Sequence, residues 1–588
     1  MVDLDLINVG VGKKEASLAI KNGRLVNVLT DEIHDADIAV YGKRIAAIGK
    51  IDQCIGEATK IIDAKGKYIT PGLIDGHVHP ESSLLSITKF AMVVIPRGTT
   101  SIMTSMDEIG TVAGLAGIRE MLNEAKRTPL KVFHCVPSRI PYIPWADTTG
   151  GEVGIKEVRE ALKCEESIGI WETTIQLVLG LDKNVLKAID EALKRKTTVH
   201  GHCPFATGSM LAAYLSVGIR SDHEAFNVDE ALEKVRNGLK VMIREGSVAK
   251  QISDLIKIVT KHGVNSRNVM LITDDVDAED LVKLGHMDHL VRRAIEEGVD
   301  PVKAIEMCSY NTAEAYRVDH LVGCIAPGRY ADILLVDDLK SFRPQLVIAN
   351  GEVVASDGKM LKAIEPPKRS RRLLKTFHLK KPIKANDLVV KTDPKAKKVK
   401  AISMQVPPDI PIRFKREVML EVENGIVKPD VENDVLHISV VERHKRTGNK
   451  STAFISGFNL KSGAIASSQA HDSHNIVCIG TNGEDMAYAI NHIASINGGQ
   501  VVVKDKKVVY ELPLPICGLV TDLDAEKLSE EEEKLNKAVH DLGCKIARPF
   551  MFLVFISLAA IPEYAITDKG FVDVINNKFI NPIIEIIK

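Results

Sequence analysis

The run Thr70-Pro-Gly-Leu-Ile-Asp-Gly-His-Val-His-Pro-Glu-Ser-Ser83 decides how the chain is read. A Pro71-Gly72 turn launches Leu73-Ile74, and the segment then delivers His77 and His79 two residues apart. On a strand, side chains at i and i+2 share a face, so both imidazoles can converge on one point. A metal ion is the natural occupant if later strands end in further ligands.

Seven more strand patterns follow, at 99–106, 130–138, 168–174, 197–203, 218–224, 239–246 and 268–275. Helical patterns at 157–166, 184–194 and 228–237 separate some of them. Eight strand–helix units over roughly 250 residues have the size and rhythm of a (β/α)8 barrel, whose sites form at the C-terminal ends of the strands. Those ends carry His77 and His79, Glu172, His200-Gly-His202, Asp222-His223-Glu224, Arg244-Glu245 and Asp274-Asp275. His200 lies nearer the barrel interior than His202 and is not expected to ligate.

The full expectation is an α/β chain. A TIM-type barrel spans 71–320, and a small discontinuous β-sandwich from 1–70 and 321–365 flanks it. A basic linker covers 366–400 and a C-terminal α/β domain 401–588. In that last domain, strands are expected at 435–441, 476–480 and 500–509 and helices at 483–496 and 526–542. The apolar run 550–561 is too short to span a bilayer and reads as a buried strand. Glu530 to Glu533 reads as a solvated helix face. Glu442-Arg443-His444 and His471-Asp-Ser-His-Asn475 suggest an interface in which this domain covers the barrel mouth and contributes a group to the pocket.

With 588 residues and a net charge of -1, the chain has no overall bias toward nucleic acid or membrane, so a small-molecule substrate is expected. Nine cysteines with no C-x-x-C pair read as reduced thiols, and with no signal-peptide pattern at the start the expected location is the cytoplasm. A homo-oligomer is expected.

The chain resembles the adenine deaminase family of the amidohydrolase superfamily. The likeness runs through Gly72-Leu-Ile-Asp-Gly-His-Val-His79, Glu81-Ser-Ser83, Pro96-Arg-Gly-Thr-Thr100, Gly201-His-Cys-Pro204 and Ser221-Asp-His-Glu224. It continues through Met242-Ile-Arg-Glu-Gly-Ser247, Thr273-Asp-Asp275, Gly285-His-Met-Asp-His289 and His471-Asp-Ser-His-Asn475. The resemblance implies two Mn2+ (or Fe2+) ions per chain. His77, His79 and Asp274 would hold one, His202 and His223 the other, and Glu172 would bridge them. It implies hydrolytic deamination of adenine to hypoxanthine and ammonia in purine salvage, with Asp274 and Glu172 catalytic. Asp275 is left for a supporting role. Glu81, Glu108, Asp147, Arg244 and Glu245 are the candidates for contacting the purine. The chain differs from the usual family pattern at Asp107, Asp147 and Trp171. Another amidohydrolase-type reaction, on a cyclic amide, an acyl group or another aminopurine, would use the same metal core. A binding protein that kept the barrel without catalysis is the reading from a different class.

Overall fold

A computed structural model describes residues 3–588 except 409, 411 and 562. Eight parallel strands line up in chain order: β1 Leu73–Asp75, β2 Thr99–Thr104, β3 Lys131–Pro137, β4 Ser167–Thr174, β5 Thr198–His202, β6 Ser221–Asp222, β7 Lys240–Arg244 and β8 Val269–Ile272. They form one sheet whose first and last strands approach each other beyond β1. There Val78 bridges Asp274 in parallel, His79 N–H donates to Asp274 C=O at 3.0 Å, and Asp274 N–H donates to His77 C=O at 2.9 Å. All eight expected strands are present. β6 keeps only two residues of the pattern at 218–224 because pairing begins late, at Ser221 opposite Lys240.

The strands read as near-continuous apolar runs because both faces are covered, as parallel sheets require. Inside, Ile74, Met103, Cys135, Trp171, Met242, Met270 and Ile272 pack with Tyr316. Outside, helices such as Lys183–Lys194 and Val228–Arg236 present an apolar stripe to the sheet and charges to solvent. Asp182 and Asn227 cap these two helices by accepting backbone N–H bonds.

The flanking pieces build one nine-stranded sheet. Tyr68–Pro71, which leads into the barrel, pairs antiparallel with Ile333–Val336, which leads out of it. The C-terminal region adds an eleven-stranded sheet, a three-stranded sheet and helices Gly483–Ser495 and Ala525–Asp541. Among the described residues, no helix is long and apolar enough to cross a membrane.

Three expectations for this region are corrected. Residues 550–561 are not a strand: Pro549 opens helix Pro549–Leu553, and the chain then turns irregularly to 561. Pro at the first helical turn favours that start, and apolar periodicity over so short a run does not separate helix from strand. The pattern at 500–509 is a hairpin, Gly499–Lys504 paired with Lys507–Pro513, turning through Asp505 and Lys506 at φ 52° and 55°. Glu532 faces inward toward Asp277 and Arg548, while its neighbours Glu530 and Glu533 are exposed.

The basic segment docks rather than floats. Arg369 pairs with Glu124 of the barrel and Asp522 of the C-terminal region. Leu84 and Ser86 exchange backbone bonds with Thr521, Thr521 N–H donating at 2.8 Å and Ser86 N–H at 2.9 Å. Arg548 reaches Asp280 at 2.7 Å.

Arg413, fully buried, organises the segment that follows the helix at 549–553. Its guanidinium donates to the carbonyls of Phe555, Leu558 and Tyr564, each at 2.7 Å, and of Ile561 at 2.6 Å. Each carbonyl left dry without a donor costs about 1–3 kcal/mol. Arg413→Ala should therefore lose at least about 3 kcal/mol. A lowered Tm together with new proteolytic cleavage within 554–564 is the expected result, and Arg413→Lys should not restore it because one ammonium cannot span four acceptors.

Candidate active site

The strand ends deliver their side chains through local devices that the sequence writes down. Asp75 accepts His77 N–H at 3.1 Å and the Thr273 hydroxyl at 2.5 Å, and His286 Nε2 lies 3.1 Å from it, so one carboxylate ties β1 to the turn after β8. Asp222 accepts Cys203 N–H and the buried Lys234 ammonium, both at 2.7 Å, which fixes β6 against the turn that carries His202. Tyr214 accepts His202 N–H at 3.0 Å and donates to the Thr173 carbonyl. Glu172 and Asp274 hold φ at 27° and 63°, a left-handed backbone that costs of order 1–3 kcal/mol per residue and collects where geometry serves chemistry.

Glu172 stands at the centre. Its Oε1 lies 3.1 Å from His77 Nε2 and 3.7 Å from His79 Nε2, and its Oε2 lies 3.0 Å from His202 Nδ1. His223 Nε2 is 3.8 Å from the same carboxylate, and Asp274 Oδ1 is 3.5 Å from His77 Nε2. Possible ligand atoms gather in overlapping sets: His77, His79 and Asp274; His77, Glu172 and His223; His202, His223 and Glu224. Burial would raise the Glu172 carboxyl, but His223 and His202 hold it well below the ordinary range. Burial pushes His202 down, yet Glu224 and Glu172 bring it up to about 9.

A divalent cation fits this donor set. His77 Nε2 and His202 Nδ1 face the Glu172 carboxylate without hydrogen-bond geometry, and buried His202 Nε2 has no partner at all; such polar atoms are costly unless something binds them. The cavity lining also carries seven carboxyl groups, Asp107, Glu108, Glu172, Glu224, Asp274, Asp275 and Asp472, against one guanidinium, Arg244. That imbalance in a buried site calls for positive charge.

Arg244 lies on the lining and donates to Glu224 Oε1 at 2.6 Å and to Asp274 Oδ2 at 3.2 Å. Asp107 and Glu108 open helix Asp107–Ala125, whose N-terminal dipole favours carboxylates. Asp107 accepts the Tyr142 hydroxyl at 2.9 Å and lies 3.3 Å from His79 Nδ1. Glu108 is gripped from the C-terminal region: His471 Nδ1 is 2.8 Å from it, and His474 Nε2 also contacts it. Burial alone would raise Glu108, but these two imidazoles keep it well below the usual range.

Glu108, His471 and His474 are close enough to ligate a cation, but their hydrogen bonds argue for pairing. His474 Nδ1 accepts Ala470 N–H at 3.1 Å, which assigns the proton to Nε2 and aims it at Glu108.

Three candidate substrate contacts stand apart from this lining. Glu245 turns away: its Oε2 accepts Ile252 N–H at 3.0 Å and its Oε1 lies 3.5 Å from Arg293, so it braces a loop. Asp147 lies on a neighbouring cleft with Arg139, Lys445 and Lys569. Glu81 is buried without a partner for either oxygen and is absent from the lining; burial with Asp107 and Glu108 pushes it up to about 8. His200 serves structure, with Nδ1 2.6 Å from Ser221 Oγ, Nε2 2.8 Å from Thr198 Oγ1 and its ring stacked on Tyr316. Sequence reasoning quoted Glu224 at a strand end but gave it no role. It had no signal for Tyr142, or for Phe555, Leu558 and Ile561, which complete the cavity wall.

Residues 68–354 match the amidohydrolase family, and residues 412–578 match the adenine deaminase C-terminal domain. Over 574 residues the chain is 44% identical to adenine deaminase 4 of Rhizobium meliloti, covering 97% of this chain and 96% of that one. It is 43% identical to adenine deaminase 1 of Desulfotalea psychrophila, over 98% of this chain and 97% of that one. It is also 43% identical to adenine deaminase 1 of Latilactobacillus sakei, over 99% and 98%.

Protein stripped with a chelator should take up divalent ions and gain Tm on doing so, because an ion that binds only the folded state stabilises it. Glu172→Gln should weaken that affinity at least about tenfold, as should His202→Asn, on the scale seen when groups supporting a metal are lost. Equilibrium dialysis with elemental analysis measures both, and unchanged affinity in the two variants would remove the ligand assignment.

Proposed function

The chain belongs to the adenine deaminase family of amidohydrolases, and from that membership we propose that it hydrolyses adenine to hypoxanthine and ammonia. The observation that carries the reading is one cavity in which the barrel's strand-end histidines and carboxylates meet a wall from the C-terminal region, Phe555, Leu558 and Ile561, at a size suited to a small flat molecule. His77, His79 and Asp274 would hold one ion, His202 and His223 a second, with Glu172 between them, and Mn2+ or Fe2+ suits the mixed nitrogen and oxygen donors.

Bound divalent ions supply Lewis acidity and make water a usable nucleophile near neutral pH. The protein's own groups do the rest. Asp274, held by Arg244, accepts the proton that water loses as its oxygen adds to C6 of the purine. The same carboxyl returns the proton to the departing amine; the C6–N bond breaks, ammonia leaves, and the hydrogen still on the oxygen moves to N1, giving hypoxanthine's carbonyl. Arg244, shared between Glu224 and Asp274, fixes where the Asp274 carboxyl sits. The apolar wall excludes water, which strengthens each of these interactions.

Purified protein loaded with Mn2+ should release ammonia from adenine, with hypoxanthine appearing by absorbance. Glu172→Gln and Asp274→Asn should each reduce kcat at least about 100-fold, the scale of losing a positioned proton-transfer group. Full metal loading with no adenine turnover, alongside turnover of a cyclic amide, would overturn the adenine reading in favour of another amidohydrolase reaction.

A further inference from the structure

The loop 471–474 is held from several sides. His471 N–H donates to the Val554 carbonyl at 2.8 Å, and the Ser557 hydroxyl donates to the His471 carbonyl at 2.9 Å. His474 N–H donates to Ala470 C=O at 2.7 Å, and the fully buried Arg443 donates to the His474 carbonyl. Both imidazoles are committed to Glu108. Between them sits Asp472, whose side chain lies on the lining of the metal-ligand cavity.

The seven carboxyls of that lining are not equivalent. Glu172 faces His77 and His202, and Asp274 and Glu224 share Arg244. Asp107 accepts from Tyr142, Glu108 pairs with His471, and Asp275 accepts from Ser82. Asp472 has no hydrogen bond or ion pair to any described residue. A carboxyl fixed by a rigid loop, left unengaged and turned into a cavity, is an acceptor waiting for a donor on the ligand.

The same cavity carries Phe555, Leu558 and Ile561 as an apolar surface. A flat heteroaromatic ring with an N–H on its edge satisfies both features at once, its face against the apolar groups and its edge against the carboxyl. Adenine with C6 at the metal ligands has one ring N–H left, on the five-membered ring, at N7 or N9 according to tautomer. We propose that Asp472 accepts this imidazole-ring N–H, so that the C-terminal region selects the free base against purines substituted at that nitrogen. The proposal rests on the adenine reading above. A purine carrying a sugar or a methyl at the contacted nitrogen has no hydrogen to offer and leaves the carboxyl unpaired, a mismatch that polar sites reject far more strongly than a missing methylene.

The test compares adenine, 7-methyladenine and 9-methyladenine as substrates of Mn2+-loaded wild type and Asp472→Ala. Asp472→Ala should lower kcat/KM for adenine about 10- to 100-fold, mostly through KM, as expected for a lost hydrogen bond in a dry site. The preference for adenine over both methyl isomers should fall at least tenfold, because a methyl at N7 or N9 removes the single imidazole-ring hydrogen and neither isomer used the carboxyl. Asp472→Leu, close in volume and without an acceptor, should behave the same way and serves if the alanine variant does not fold. Variants with wild-type metal content and Tm that keep adenine kcat/KM within twofold, or that lose equally on all three substrates, overturn the proposal. A wild-type protein inert toward adenine overturns the functional reading itself, which a wild-type protein active on adenine does not.

Discussion

The seam where β1 meets β8 is the contact on which the site depends. Two backbone hydrogen bonds, His79 N–H to Asp274 C=O and Asp274 N–H to His77 C=O, close the ring of strands just past their ends. They bring His77, His79 and Asp274 within ligating distance of one another, although nearly two hundred residues of chain separate them. Asp274 takes a positive φ to make the turn, and Asp75 braces the seam from beneath through His77, Thr273 and His286. Without closure the histidines of β1 would face an open sheet edge instead of Glu172.

The second constraint is electrostatic. Seven carboxyls around one small cavity repel one another unless engaged, and the chain engages six of them in different ways and leaves Asp472 unpaired. The barrel supplies Arg244 and four histidines. The C-terminal region supplies His471 and His474, which neutralise Glu108 at the start of a barrel helix. That region thus completes the charge balance of a site whose ligands it does not provide. Arg413 and Arg443, both fully buried, hold the segments that make these contacts. Removing a partner from so dry a network would cost more than the pair contributes, because the group left behind keeps its desolvation penalty.

Much of the barrel and its ligand positions was legible in the sequence because both follow short-range rules. Eight apolar runs at regular spacing announce parallel strands, and polar residues at their C-terminal ends announce a site, since in this architecture those ends converge. Glu172 and His202 are readable from position as strand-end groups facing one cavity. Arg244 and Glu245 show where such reasoning stops: they are adjacent at one strand end, yet one points into the cavity and the other braces a loop against Arg293. Neighbouring residues leaving a strand point to opposite sides, and only the turn geometry decides which side is inward. The run 550–561 fails for another reason, since a short, wholly apolar segment carries no periodicity to tell helix from strand.

Local pattern, then, settled the order of the strands and the polar groups at their ends, because strand alternation and residue spacing are properties of consecutive residues. Tertiary structure decided which carboxylates face the metal ligands, which are neutralised, and what roofs the cavity. Glu108 meets His471 and His474 across more than 360 residues, and Arg413 ties down residues more than 140 positions away. Pairings of that range leave no periodic trace in the chain; they arise from how two separately patterned regions pack.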